Sequence, residues 1–494
     1  MGKGIAVHLV GVLSLVLAAS VQAADSKWYE YQSDNFTLHT DLNEVAARRM
    51  LSDFETFRKG VLYSLNFPDT PENSRLRIMV YGSNRDYNAI RPAQDYIGFF
   101  FAARSGPRMV IGPSRGASKA QVLYHEYIHY LLEEHVRLPV PRWYNEGYAE
   151  LFSGTDIERG RFETGKMDDG RLAVVGNFGL LSLEQLFDPF NEEASDIFMA
   201  RYYATAGLFM HFLQVGPLVS EEDLRRGLAV FLYNLNEGMN PVDAVEPSFG
   251  ITMNELTRRF RGYVLRERYQ FTRIELPAYE GEVRSRRLST NEAAALLADM
   301  AVHLGKEDVA LDYLKDLDES RPDAARGLAT RALIHGHKDA IDASAQARDL
   351  ALRMGSDNSE VLAELAHLYL DDYTRTANAG NADASLLDQA MKHAKTAAEL
   401  DPANLVAHDY QARVLRVMGQ HGEALRSMMA MYQRFPTSLQ VNSEIGGYLL
   451  ELSRPDLARP FFERVYNWAH DASVMQQVKK TLDEIDAALV AEEE

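Results

Sequence analysis

The chain has 494 residues, 46% hydrophobic and 25% charged, which describes a folded protein too long for one ordinary core, so two or three domains are expected. A formal charge of −19 argues against nucleic acid or an anionic membrane as the main partner. The absence of cysteine excludes a disulfide framework and a lipid-attachment cysteine.

Residues 1–23 read as a secretory signal peptide. Lys3 gives a positive start, Ile5 to Ala18 is apolar, and Val21-Gln22-Ala23 offers small residues for cleavage. The expected location is a bacterial periplasm, with secretion or anchoring by an uncleaved signal as the alternatives. No later stretch has the length of a spanning helix, so no transmembrane segment is expected after signal removal.

Phe36 to Thr40 predicts a strand, and Asp41 is placed to cap an amphipathic helix running to about Ser64. Arg75 to Tyr81 is a second strand by alternation. Phe99 to Ala103 and Arg108 to Ile111 flank Arg104-Ser105-Gly106-Pro107 as a hairpin. Ser118-Lys119-Ala120-Gln121 fits a capping box opening a further helix, with Val122, Ile128, Leu131 and Leu132 as its buried stripe.

That helix carries His125-Glu126-Tyr127-Ile128-His129. Residues four apart share a helix face, so His125 and His129 can aim both imidazoles at one ion. Glu126 stands beside the metal rather than on it, placed to take a proton from attacking water as a general base. Pro139 and Pro141 break the chain before a second helix from about Arg142, which carries Trp143-Tyr144-Asn145-Glu146-Gly147-Tyr148-Ala149-Glu150. Catalytic zinc takes three protein ligands and keeps one position open, and Glu146 is the candidate third ligand.

The pairing of His-Glu-x-x-His with Asn-Glu-Gly-x-Ala-Glu resembles the gluzincins, the thermolysin-like and aminopeptidase-like zinc metallopeptidases grouped as peptidase MA-like. The resemblance implies a Zn2+ cofactor, Glu146 as a ligand, and Glu150 as a carboxylate that holds a zinc histidine from behind. It further implies that the last strand before the motif helix is the edge along which a peptide substrate lies. His135, six residues past His129, stands where metzincins place a third histidine. Leu132 occupies the position where that motif turns on glycine, so the helix continues and His135 is expected as an exposed helix-end residue.

Arg159 to Val175 reads as a surface loop or short hairpin over the site. In Arg201-Tyr202-Tyr203-Ala204, Tyr203 best matches the family's tyrosine that donates to the transition-state oxyanion, with Tyr202 as fallback. His211 lies on an apolar helix face and is expected to be a satisfied core residue or one supporting the site. Helices at 221–235 and 252–266 complete a domain of residues 24–280, and the charged stretch 281–287 reads as a linker.

From Leu288 the chain becomes alanine- and leucine-rich, and Pro402 and Pro436 stand 34 residues apart. The same offset relates Ala424 to Ala458, and Ala412 to Gly446. This resembles tetratricopeptide repeats, implying an all-α solenoid over 288–490 that binds a protein partner. The expected architecture is thus an α+β zincin-like catalytic domain followed by an all-α tetratricopeptide-repeat solenoid. The expected function is hydrolysis of peptide or protein substrates by an exported zinc endopeptidase. A non-catalytic envelope scaffold and a cell-wall peptide amidase are the rival readings.

Overall fold

The computed structural model describes residues 27–493, apart from 71–75, 92–96, 104–105, 114–116, 137–139, 159, 188–194, 216–220, 267–268, 437 and 469–471. The signal peptide expected at 1–23 lies outside the described residues, as do the turn of the expected hairpin at 104–105 and the capping side chain of Ser118.

The N-terminal part opens with β1 (Tyr29–Gln32), β2 (Phe36–Thr40), α1 (Glu44–Leu65), β3 (Leu76–Val80), α2 (Asn84–Ile90), β4 (Gly98–Ala103) and β5 (Gly106–Ile111). It continues through α3 (Ala117–His135) and α4 (Arg142–Ser153), then the hairpin β6 (Asp156–Glu158) and β7 (Arg161–Thr164). Helices α5 (Asp169–Phe178), α6 (Leu183–Phe187), α7 (Asp196–Val215), α8 (Glu221–Asn236), α9 (Pro241–Phe249) and α10 (Met253–Val264) precede β8 (Thr272–Glu275) and β9 (Arg284–Arg287).

The main sheet runs β4-β5-β3-β2-β1-β9, with β2, β3 and β5 parallel and β4, β1 and β9 antiparallel to their neighbours. Parallel strands are stable when both faces are covered. On one face Phe36, Leu38 and Ile78 pack with Phe54 and Phe57 of α1 and Tyr127 of α3. The other face presents Met79, Tyr81 and Val110 to the helices that follow β9.

Three expectations change here. Asn43, not Asp41, caps α1, accepting from the Ala46 amide at 3.0 Å. Asp41 instead accepts from the Gly82 amide at 2.5 Å, tying the end of β2 to the end of β3. The sheet edge is β4, the last strand but one before α3, because β5 turns back inside it to pair with β3. The stretch read as a linker contains β9, which pairs with β1 along Tyr29↔Arg287 to Gln32↔Arg284. Its Arg-Ser-Arg-Arg sequence is exposed on both faces, so no apolar alternation marked it, and charge is what an edge strand carries to prevent further pairing.

The C-terminal part is all helix, a stack of antiparallel pairs. They are α11 (Thr290–His303) with α12 (Glu307–Leu314), α13 (Ala325–His337) with α14 (Ile341–Met354), and α15 (Ser359–Asn378) with α16 (Ala384–Leu400). Then come α17 (Leu405–Val417) with α18 (His421–Arg434), α19 (Leu439–Glu451) with α20 (Pro455–Trp468), and a closing helix α21 (Ala472–Glu493). The first helices of successive pairs, α11, α13, α15 and α17, lie side by side. The small residues spotted at the 34-residue offset sit where paired helices touch. Ala412, Ala424 and Ala458 are fully buried, and a Cβ on Gly446 would come within 2.8 Å of the Phe462 ring. Residues 374–383, made largely of Ala, Asn, Gly, Asp and Thr, extend α15 to Asn378 and form a short turn before α16.

The repeats do not trail behind the sheet. Leu296, Leu297 and Ala301 of α11 and Leu314 of α12 share one apolar cluster with Tyr81, Tyr87 and Val110. Around it Arg108 pairs with Asp299 at 2.6 Å, and Glu360 pairs with Arg77 at 2.7 Å and Arg326 at 2.9 Å. At the far end the Arg142 guanidinium donates to the Met475 thioether on α21, and α20 touches α4. The helical array therefore meets the α+β part at both of its ends.

Candidate metal centre

Helices α3 and α4 cross with His125 and His129 facing Glu146. The two histidine Nε2 atoms are 3.1 Å apart, and Glu146 Oε2 is 3.5 Å from each. A tetrahedral ion bonded at about 2.0–2.1 Å needs neighbouring donors about 3.4 Å apart, so the triangle has the size of a zinc-class ion.

The ring orientations point the same way. His129 Nδ1 meets Asn145 Oδ1 at 2.9 Å, and His125 Nδ1 is 3.5 Å from Glu150 Oε1. An oxygen at Nδ1 favours the proton there, the tautomer in which Nε2 is the ligand atom of a metal-binding histidine. His129 and Glu146 are almost fully buried, so their donor atoms converge with those of His125 at a point screened from water. The surrounding carboxylates favour positive charge at this point. Burial opposes charge on His125, but Glu146, Glu150 and Glu126 outweigh it and hold its pKa up at about 9. The residues present fit a resident zinc ion.

Glu126 is half-buried and lines a cavity of about 830 Å3 together with His125, Tyr203, Val122, Ile97 and Gly98. Edge strand β4 begins at Gly98, so the sheet edge borders the cavity. Tyr203, on α7, accepts from Arg142 Nη2 at 3.2 Å, leaving its own O–H to donate. Burial and the nearby Glu146 push its phenol up to about 12, so it stays protonated at neutral pH. Tyr202, the fallback, is fully buried and faces the Arg142 guanidinium with its ring, 5.8 Å away.

Three residues that support the donors were given no role by the motif. Asn145 orients His129 as described. Arg142 lies one helical turn before Glu146, 3.6 Å from its Oε1, and so joins Glu146 to Tyr203. Arg171 of α5 forks onto Glu150 at 2.7 and 2.9 Å and lies 5.4 Å over the Tyr203 ring. The i,i+4 spacing of Arg142 and Glu146 was a usable signal. Nothing local marked Arg171, which the loop expectation had placed over the site without a partner.

His211 is a satisfied core residue, as expected. Nδ1 accepts from the Tyr263 hydroxyl at 2.6 Å, and Nε2 donates to the carbonyls of Gly165 and Gln270 at 2.8 and 3.0 Å. His135 departs from expectation. It is half-buried rather than exposed and stacks on Phe67 with ring centres 5.0 Å apart, because α1 ends beside the end of α3. It takes no part in the triangle of His125, His129 and Glu146.

No family model matches the chain, and no curated protein matches it. Solved structures match over part of its length. TTC0263, a thermophilic tetratricopeptide-repeat protein of Thermus thermophilus, is 16% identical, with 39% of this chain and 98% of that one covered and a TM-score of 0.33. Pseudomonas aeruginosa pilF is 15% identical over 41% of this chain and 88% of its own, with a TM-score of 0.31. PilW, a type IV pilus biogenesis factor, is 15% identical over 41% and 92%, also at 0.31. Values this low carry no argument about what this chain does. The helical repeat stands on the packing described above.

Proposed function

We propose that this chain is an exported, zinc-dependent endopeptidase of gluzincin type, working in a periplasm, whose helical repeats engage protein substrates or partners. The observation that carries this reading is the donor triangle of His125, His129 and Glu146, whose His125 corner shares a cavity with Glu126. A metal-binding role alone has no use for Glu126 at that position.

Zinc at the triangle would supply a Lewis acid that acidifies water and polarises the scissile carbonyl. Glu126 accepts the proton of the attacking water and returns it to the departing amine. Tyr203, its hydroxyl oxygen steadied by Arg142, donates to the oxyanion as charge develops. The outer edge of β4, bordering the cavity at Gly98, pairs with an extended peptide backbone and sets the scissile bond over Glu126.

The test is to strip the full chain with a chelator and assay a mixed peptide pool before and after returning zinc. Hydrolysis that vanishes and returns supports the reading. A well-folded, zinc-loaded chain with no activity on any peptide or cell-wall fragment would leave the scaffold reading in its place.

A further inference from the structure

The repeats hold a second convergence of ligand-type side chains, far from the first in sequence and built on different helices. Between the first helices of the pairs lies a cavity of about 350 Å3, floored by Val302, Leu333, Val361 and Tyr410 and walled by His337 and His367. His367, on α15, stacks on the buried Tyr410 ring at 4.7 Å and 22°, which fixes its plane. Its Nε2 lies 3.1 Å from Asp371 Oδ2, one helical turn further along, and its Nδ1 lies 3.5 Å from Glu364. His337, at the end of α13, presents Nδ1 to Glu307 at 2.8 Å. One ring nitrogen of each histidine and one oxygen of Asp371 all fall within 4.8 Å of one another.

We propose that His337, His367 and Asp371 form a second metal site, for a divalent ion of the zinc class, clasping the second helix pair to the third at the rim of this cavity. Several features go beyond a chance meeting of polar groups. A carboxylate stands at Nδ1 of both imidazoles, within hydrogen-bond distance of His337 at 2.8 Å and 3.5 Å from His367, the side from which a ligand histidine is commonly steadied. His367 and Asp371 share one helix face by i,i+4 spacing, and His337 comes from the neighbouring pair, so one ion ties two repeats. Two imidazoles with one carboxylate suit zinc, cobalt, nickel or copper rather than calcium or magnesium. The 4.8 Å spread is wider than the roughly 3.4 Å a tetrahedral ion needs. Both His337 and Asp371 are exposed enough to close it, with side chains 41% and 52% accessible. Three protein ligands leave one position beside the cavity, where a histidine or carboxylate of a bound segment completes the shell.

The experiment titrates chelator-stripped, full-length chain with zinc by calorimetry and checks the stoichiometry by elemental analysis after dialysis. Wild type is expected to bind two equivalents. His367→Ala, and the gentler surface change Asp371→Asn should His367→Ala fold poorly, are expected to keep one equivalent and to weaken the other at least tenfold. His129→Ala is expected to keep the equivalent that those variants lose. A single wild-type equivalent abolished by His129→Ala, or two equivalents undiminished in both repeat variants, overturns the proposal. A single equivalent lost in His367→Ala and kept in His129→Ala upholds it and sinks the catalytic metal instead, so the two sites fail separately.

Discussion

At the candidate centre each donor is aimed by a neighbour: His129 by Asn145, His125 by Glu150, and Glu146 by Arg142. Removing such a partner from a ligand histidine weakens metal binding by about 10–100-fold. Asn145→Ala is therefore expected to lose zinc by about that factor while the fold persists, read by competition with a chromogenic chelator. Tyr203→Phe leaves the ligands untouched and is expected to keep zinc while turnover falls by about tenfold to a thousandfold, the range of a single oxyanion donor. Arg142→Gln should fall between these two, because its guanidinium holds both a ligand and that tyrosine. The pairing of His125 with His129, and of Glu146 with Glu150, was legible because one helical turn fixes which residues share a face. Asn145, Arg142 and Arg171 were not, since their use depends on how α4 crosses α3 and where α5 returns.

Among elements, those whose burial is one-sided or complete were readable: β2, β3, α1 and the paired helices all show their apolar period. What escaped was decided by partners distant in sequence. β9 is a strand because β1 lies beside it, and β4 became the edge because β5 turned inward to β3. The cap of α1 moved to Asn43 because Asp41 is engaged by Gly82. The repeat geometry gives a sharper check. Gly446 faces Phe462 with no room for a methyl group, so Gly446→Val forces α19 and α20 apart. Overpacking of this kind costs about 1–3 kcal/mol, and the urea midpoint should fall without loss of the zinc carried by α3 and α4.

On the scale of the molecule, the sheet and the repeats share a core, which bears on both acid stability and truncation. Burial works against charge on Glu360, but Arg326 and Arg77 hold its carboxyl down at about 2 from an ordinary 4.5. A depressed folded-state pKa means the contact stabilises fully above 4.5 and is lost as the pH falls toward 2. The melting temperature should drop through that window, and Glu360→Gln should melt lower at neutral pH with a shallower acid limb. The boundary near Leu288 was legible as a change of composition. That it does not separate two independent folds was not, because Met79, Tyr81 and Val110 look like ordinary strand residues until α11 is seen covering them. A fragment ending at Arg287 would expose that face, so it is expected to be insoluble or to lack a cooperative unfolding transition.

Glu126 is proposed to do chemistry beside a metal it does not hold. Glu126→Gln keeps the shape and removes the ability to accept a proton. Zinc content and peptide hydrolysis should be measured on the same preparation of wild type and variant. Full zinc occupancy with hydrolysis down by about a hundredfold or more is the expected result. Undiminished turnover at full zinc occupancy would contradict it.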